Sequence, residues 1–161
     1  MVSVYISIGS NINKEENIRS CICALEREFG ELNCSSVYET KAEGFEGDDF
    51  YNLVASFDSD WTVAQLVEKF HQIETLHGRN RNVKGFTSRT LDIDLILYDD
   101  LVASEPVQLP RQEILKYAFV LKPLAELAGD KLHPLLDETY ADLWERFEAN
   151  NQVPALRQIT L

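Results

Sequence analysis

The stretch from Gly78 to Asp100, GRNRNVKGFTSRTLDIDLILYDD, decides how the rest of the chain is interpreted. Its second half alternates in the way that a β-strand does, with a period of two residues. The predicted core face carries Leu91, Ile93, Leu95 and Leu97. The opposite face carries Thr90, Asp92, Asp94, Ile96 and Tyr98. Residues two apart in a strand are separated by about 6.5–7 Å, so the pattern predicts two neighbouring carboxylates on the face turned away from the core.

Two carboxylates this close repel each other unless water screens them or cations lie between them. Carboxylate oxygens on one rigid surface are ligands that hard cations such as Mg²⁺ prefer. The first half of the stretch supplies the opposite charge, and guanidinium groups match phosphate oxygens in a bidentate geometry. Its cations are Arg79, Arg81, Lys84 and Arg89. The combination indicates metal-assisted chemistry on a phosphate chain, although each part alone also fits a solvated strand face and an ordinary surface loop.

Composition limits the class of protein. The 161 residues, 45% hydrophobic and 26% charged, are typical of one globular domain spanning residues 1–161. A net charge of −12 argues against nucleic acid or an anionic membrane as the general partner. No apolar run has the length of a membrane span, and no leader pattern is expected at the N-terminus. The three cysteines lack a zinc-binding pattern and are expected to be thiols in a reducing cytoplasm.

Periodicity and turn residues predict the order of the elements. Strands are expected at residues 2–8, 32–40, 50–57 and 90–98, and amphipathic helices at 13–29 and 61–77. Asn13 and Asp60 are the predicted helix caps. A hairpin partner at 101–104, a short helix and a helical segment ending at 128, a helix at 139–147 and an edge strand in the last residues are expected to follow. This order predicts an α+β fold, a ferredoxin-like βαββαβ sheet covered by helices, with additional short helices and strands.

The central stretch closely resembles the signature of the 6-hydroxymethyl-7,8-dihydropterin pyrophosphokinase family of folate biosynthesis. The matching residues are Glu74, Gly78, Arg79, Arg81 and the run Arg89-Thr90-Leu91-Asp92-Ile93-Asp94. Further matches are Gly9-Ser10-Asn11, Tyr38-Glu39-Thr40, Phe50-Tyr51-Asn52 and Ala118-Phe119-Val120-Leu121-Lys122-Pro123-Leu124. The resemblance covers residues 2 to about 128, which is most of the chain.

The resemblance implies transfer of pyrophosphate from ATP to the hydroxymethyl group of the pterin, with release of AMP. It also implies two Mg²⁺ ions at Asp92 and Asp94, and a monomer whose loops 41–49 and 79–88 close over ATP and a reduced pterin. The implied catalytic residues are Arg79, Arg89, Asp92 and Asp94. The implied pterin-binding residues are Thr40, Phe50, Asn52, Phe86 and Phe119, with the ring between Phe119 and Phe86. The implied ATP-binding residues are His71, Glu74, Arg79, Arg81, Arg89 and Arg111.

Ordinary structural roles remain open for several of these residues. Asn52 can make local hydrogen bonds at a strand start, Glu74 can be a solvated helix-surface residue, and Phe119 can belong to the core. The sequence also departs from the family pattern at Thr87-Ser88, at Arg111 in place of a histidine, and at Tyr117 in place of an arginine. These departures favour a divergent relative that binds a pterin-like or nucleotide ligand without turnover. A non-enzymatic ferredoxin-like binding domain would need no pocket beside Asp92 and Asp94.

Overall fold

The structure is a computed structural model that describes residues 1–41, 49–78, 91–151 and 156–161. In the first half of the chain the elements are β1 (Val2–Ser10), α1 (Lys14–Phe29), β2 (Asn33–Cys34), β3 (Val37–Thr40), β4 (Phe50–Ser59) and α2 (Val63–Leu76). In the second half they are β5 (Asp92–Tyr98), α3 (Glu113–Lys116), α4 (Ala118–Ala128), α5 (Tyr140–Asn150) and β6 (Arg157–Ile159). Among the described helices, none has the length and apolar character needed to cross a membrane.

The strands form one sheet in the order β5-β1-β4-β3-β6, with β2 pairing to β4 beside this path. All of the pairings are antiparallel. β1 lies between β4 and β5, so the first strand of the chain joins the strand that carries Asn52 to the strand that carries Asp92 and Asp94. The predicted α+β class is confirmed, and the edge strand expected in the last residues is confirmed as β6 on β3.

The sheet has a hydrophobic core on each face, because successive strand residues point to opposite sides. The first cluster joins the sheet to α1 and α2 and includes Val4, Ile6, Ile8, Leu25, Leu66, Phe70, Ile93 and Leu95. The second cluster joins the other face to α4 and α5 and includes Tyr5, Val54, Ile96, Leu97, Leu121, Leu124 and Tyr140. The predicted site residues Asn52, Asp92 and Asp94 also lie on this second face.

A register shift in β5 changes which side chains face each cluster. Tyr5 of β1 pairs with Leu97, and Ile6 pairs with Leu95, so Ile96 is an extra residue on β5. Such a bulge reverses the alternation beyond it. Leu97 therefore packs in the second cluster, and the prediction that it shares a face with Ile93 and Leu95 is wrong. The two aspartates precede the bulge, so their predicted placement opposite the first core is unaffected.

Of the two predicted helix caps, Asn13 is the observed N-cap residue of α1, whereas Asp60 is not that of α2. Asn13 precedes α1, but its φ of 44° is left-handed and its side chain makes no capping hydrogen bond. The cap of α2 is Thr62 and not Asp60, because Thr62 forms a capping box with Gln65. In this box the Gln65 amide donates to Thr62 Oγ1 at 3.2 Å and the Thr62 amide donates to Gln65 Oε1 at 2.9 Å. β4 ends at Ser59, two residues beyond its predicted end, and α2 begins two residues later than predicted, at Val63.

Two predicted strands are also modified. The segment 32–40 is divided into β2 and β3 at Ser35, whose hydroxyl accepts the Val54 amide at 2.9 Å in place of a ladder carbonyl. The predicted hairpin partner of β5 at 101–104 is wrong, because Ala103 instead forms an isolated bridge with Leu109. The helix expected at 139–147 is confirmed as α5, with Thr139 as its side-chain cap.

Candidate active site

The polar residues of the second sheet face are arranged in cross-strand rows. Asp92 of β5 pairs with Gly9 of β1, and Gly9 pairs with Asn52 of β4. The next row joins Asp94, Ser7 and Val54. Directly paired residues point to the same face, and adjacent strands lie about 4.8 Å apart, so the Cα atoms of Asp92 and Asn52 are separated by about 10 Å. We call this region the polar end, which comprises Ser7, Gly9, Thr40, Asn52, Asp92 and Asp94.

Gly9 is required by the close approach of Asn52. A Cβ atom at residue 9 would lie 2.8 Å from Asn52 Oδ1, which is shorter than any ordinary contact. The buried Asn52 donates from Nδ2 to Thr40 Oγ1 at 3.0 Å. Two of the predicted pterin-binding residues therefore hold each other in place across β3 and β4. This hydrogen bond is not a local one at the start of a strand, because Thr40 lies on the neighbouring strand β3.

Asp94 is the more perturbed of the two acids. Burial and the charge of Asp92 raise its pKa to about 6, and the Arg111 guanidinium acts in the opposite direction. Arg111 Nη2 donates to Asp94 Oδ1 at 2.8 Å. The side chain of Asp94 keeps 37% of its exposure, so a ligand can reach it from solvent. The pair has the electrostatic character of a cation site, because the charge of Asp92 disfavours ionisation of Asp94.

Glu74 occupies an unexpected position on α2. It is only 2% exposed, and its Oε2 accepts the backbone amide of Ile93 at 2.8 Å. The alternative of a solvated surface glutamate is therefore wrong. Ile93 lies between Asp92 and Asp94, so Glu74 positions the strand segment that carries both acids. Its predicted contact with the nucleotide stays a prediction.

Arg111 reaches the polar end from the loop that precedes α3. Its backbone amide donates to the carbonyl of Ile96 at 3.1 Å. Ile96 is the extra residue of the β5 bulge. Its Nε lies 3.6 Å from Glu113 Oε2. The guanidinium predicted to bind ATP is thus paired with a predicted metal ligand in this structure. Sequence reasoning missed this pairing because no spacing rule relates residue 111 to residue 94.

The remaining predicted residues are only partly brought together. Phe50 pairs with Thr40 and shares the face of Asn52. Phe119 on α4 is partly buried against the second cluster, and its ring stacks on Tyr117 with centroids 5.0 Å apart. His71 is half-buried on α2, whose apolar side packs in the first cluster. Outside the described residues lie Arg79, Arg81, Phe86, Arg89 and most of the two loops expected to close.

Divalent cations would find two hard oxygen ligands at Asp92 and Asp94, whose mutual repulsion a cation would relieve. Within the described ranges no group of three or more candidate metal-binding side chains occurs. A cation bound here would take its other ligands from water or substrate, which is usual for Mg²⁺ at phosphate-binding sites. The acidic pair therefore fits Mg²⁺ held jointly by protein and nucleotide.

Comparison with protein families and with curated proteins identifies relatives of this chain. The family model described as 7,8-dihydro-6-hydroxymethylpterin-pyrophosphokinase (HPPK) matches residues 5–129. The 2-amino-4-hydroxy-6-hydroxymethyldihydropteridine pyrophosphokinase of Haemophilus influenzae is 30% identical over 139 residues, covering 83% of this chain and 86% of that protein. The protein of the same name from Aquifex aeolicus is 32% identical over 140 residues, covering 84% and 86%.

Some relatives are much longer than this chain. The folic acid synthesis protein fol1 of Pneumocystis carinii is 31% identical over 161 residues, and the match covers 96% of this chain but only 21% of that protein. Among solved structures, a Plasmodium falciparum HPPK-DHPS triple mutant with pteroate has a TM-score of 0.79 at 12% identity, covering 99% of this chain and 47% of that one. At that identity the likeness shows the fold alone.

The relatives and the residue pattern agree. The family model spans most of the chain, and two pyrophosphokinases match it at 30% identity or more over most of both lengths. The resemblance seen in the central stretch is thereby confirmed. The chain belongs to the 7,8-dihydro-6-hydroxymethylpterin-pyrophosphokinase family.

Proposed function

We propose that the polar end is the active site of an ATP-dependent diphosphotransferase. The reaction moves pyrophosphate from ATP to the hydroxymethyl group of 6-hydroxymethyl-7,8-dihydropterin in folate biosynthesis and releases AMP. The row Asp92–Gly9–Asn52 is the observation that carries the proposal. It sets an acid and an amide on the two strands that flank Gly9, on one face of the sheet, with the Asn52 amide lying against Gly9.

In this proposal Asn52 selects the pterin. Its amide offers a donor and an acceptor to the edge of a ring that carries both. Thr40 holds that amide in one orientation through the 3.0 Å hydrogen bond, and Phe50 lies on the same face. Phe119 provides an apolar ring surface beside them, and Phe86 is proposed as the second aromatic partner. A ring bound over Gly9 would direct its hydroxymethyl group toward Asp92.

The acidic pair is proposed to hold the metal ions of the reaction. Asp92 and Asp94 would bind two Mg²⁺ ions, whose chemistry is to neutralise the triphosphate and the oxygens that attack and leave. Glu74 keeps the intervening Ile93 amide in place, so the two carboxylates stay at a fixed separation. The proposed nucleotide contacts are His71, Glu74, Arg79, Arg81, Arg89 and Arg111.

The proposal extends to the organisation of the chain. We propose a ferredoxin-like βαββαβ sheet, which the strand order β5-β1-β4-β3 with antiparallel neighbours supports. Residues 1–161 are proposed to act as one domain and as a monomer. The cytoplasm is the proposed compartment, which the unpaired thiols of Cys21, Cys23 and Cys34 support.

An assay of AMP release tests this function with ATP, Mg²⁺ and 6-hydroxymethyl-7,8-dihydropterin. The wild-type protein should turn over, whereas Asp92→Asn should not. Asp100→Asn is a matched control, because it removes an exposed acid just beyond the other end of β5. Calorimetry with a non-hydrolysable ATP analogue should show weaker pterin binding for Asn52→Ala and Phe119→Ala. Unchanged affinity in both variants would mean that the pterin is not held at the polar end.

A relative that binds its ligands without turnover is the second candidate. Two observations favour it. Arg111 is paired with Asp94, the proposed metal ligand, and Tyr117 stacks on one face of Phe119, the proposed pterin contact. This candidate predicts tight binding of the pterin and the ATP analogue together with no AMP release under any metal concentration. Measuring affinity and turnover on the same preparation separates the two functions.

A further inference from the structure

Arg111 is anchored at its main chain, whereas its side chain is held by the contact with Asp94 at the edge of solvent. Its amide is fixed on the Ile96 carbonyl at 3.1 Å, and its carbonyl accepts the Ile114 amide at 3.3 Å. The guanidinium is 25% exposed and reaches Asp94 at the edge of solvent. Rotation about the side-chain torsions would therefore move the charge several ångströms without disturbing β5 or α3.

The guanidinium is incompletely satisfied where it lies. It has five N–H donors, and one of them bonds Asp94 Oδ1 at 2.8 Å. Its Nε and Glu113 Oε2 are buried and 3.6 Å apart, and neither has a hydrogen-bond partner among the described residues. A triphosphate offers more acceptors in a geometry that suits a guanidinium. A bound triphosphate can therefore compete with Asp94 for the Arg111 guanidinium.

Arg111 and a divalent cation cannot both pair closely with Asp94. A guanidinium and a cation within about 4 Å of each other repel, and the repulsion is several times stronger near a protein surface than in bulk water. Among the described residues, only the Asp92 and Glu113 carboxylates offset this repulsion at Asp94 in the absence of nucleotide. When a triphosphate is present, its negative charges give the guanidinium another partner nearby.

We propose that Arg111 is an exchangeable counter-ion that occupies Asp94 until a metal–nucleotide complex displaces it onto the triphosphate. The inference rests on the proposed function, since it takes Asp94 to be a metal ligand. It predicts that the nucleotide-free protein binds divalent cations weakly, and that metal and nucleotide enter together. Arg111 is in this sense a positioning residue that sets the order of binding.

Binding of Mn²⁺, measured from its free electron paramagnetic resonance signal, tests the proposal. The measurement is made at pH 8, above the pKa of about 6 of Asp94, with and without a non-hydrolysable ATP analogue. Without nucleotide, Arg111→Gln should raise the Mn²⁺ affinity by roughly tenfold, because the competing charge is gone. The same variant should bind the analogue more weakly, so the two affinities change in opposite directions.

Two further variants act as controls. Arg111→Lys keeps the charge and should leave nucleotide-free Mn²⁺ affinity near the wild-type value. Lys116→Gln removes an exposed cation whose side chain reaches Gln112, and it should change neither affinity. If the substitutions at residue 111 do not fold, the side-chain Nε resonance of wild-type Arg111 replaces them. That resonance should move with Mg²⁺ and the analogue together but not with Mg²⁺ alone.

The outcomes separate this inference from the proposed function. An unchanged or lower Mn²⁺ affinity in Arg111→Gln, or an Nε resonance that ignores the analogue, overturns the counter-ion role. If Asp94→Asn still abolishes analogue-dependent Mn²⁺ binding in that case, the metal site stands without it. If Asp94→Asn binds Mn²⁺ and the analogue as the wild type does, both the counter-ion role and the metal assignment fail.

Discussion

The two ends of the second sheet face are built from the same three strands but serve opposite purposes. At one end Tyr5, Val54 and Leu97 from β1, β4 and β5 pack under α4 and α5. At the polar end the same strands present Gly9, Asn52 and Asp92. We call the first region the apolar end. The comparison shows that one strand can carry packing residues in one part of its length and polar residues in the next.

The Ile96 bulge lies at the boundary between these ends. On one side of it Ile96 and Leu97 are both buried in the second cluster, and on the other side Asp94 remains partly exposed. The bulge also presents the carbonyl that anchors Arg111. The bulge thus separates packing residues from polar residues along β5, so substitutions at the two ends should have separable effects on stability and on activity.

The largest effect should come from the acidic pair. Asp92→Ala and Asp94→Ala should each lower turnover by about 10³-fold, because a metal ion supplies several kcal/mol of charge stabilisation. Asp92→Ala should be no less stable without ligands, since it removes a charge that repels Asp94, whereas Asp94→Ala should lose some stability because Arg111 loses its hydrogen-bond partner. AMP release and thermal melting measure the two quantities. Full activity in either variant would remove the distinction between the ends.

The apolar end should respond in the opposite way. Leu124→Ala empties a fully buried position on α4 and should cost about 2–5 kcal/mol in the free energy of unfolding. The turnover of the folded fraction should change little, because Leu124 lies in the packing cluster. Denaturant unfolding and an assay well below the melting temperature test this. Leu115→Ala, at a 40% exposed leucine on α3, is the control and should lie within about 0.5 kcal/mol of wild type.

Gly9→Ala probes the space inside the polar end. The new Cβ would contact Asn52 Oδ1 at 2.8 Å and should displace the amide from its hydrogen bond with Thr40. Pterin affinity should fall by about tenfold, the effect of losing one or two hydrogen bonds. The double variant with Asn52→Ala should bind no more weakly than Asn52→Ala alone, since both act through one side chain. Additive losses in calorimetry would show that Gly9 acts independently of Asn52.

The smallest expected effect is on the pH dependence of stability. The folded pKa of Asp94 is about 6, above its ordinary value of 3.8, so the folded state holds this proton more tightly than the unfolded state. Its contribution to the unfolding free energy therefore rises as the pH falls from above 6 toward 4. The free energy of unfolding of Asp94→Asn, measured relative to wild type, should therefore be higher at pH 8 than at pH 4.5. Denaturant melts at both pH values that give the same difference would contradict this.

Local pattern accounts for much of the fold and for the placement of the acids. Alternation placed Asp92 and Asp94 opposite Ile93 and Leu95, and amphipathic spacing located α1 and α2. The same rules failed at Leu97, because a bulge is a property of two paired strands and not of one. They also failed at Glu74, because its buried carboxylate accepts the Ile93 amide of β5, a residue far from it in the sequence.

The sequence by itself determined the order of the elements, the acidic pair, the motif that places the chain in its family and the excess of negative charge. Each of these is written in residues a few positions apart, where steric and periodic rules act directly. The tertiary structure alone decided that Gly9 lies between Asp92 and Asn52, and that Arg111 pairs with Asp94. Those relations depend on strand register and on loop closure over many residues. Register comes from the packing of both sheet faces at once, and no short stretch of the chain encodes that packing.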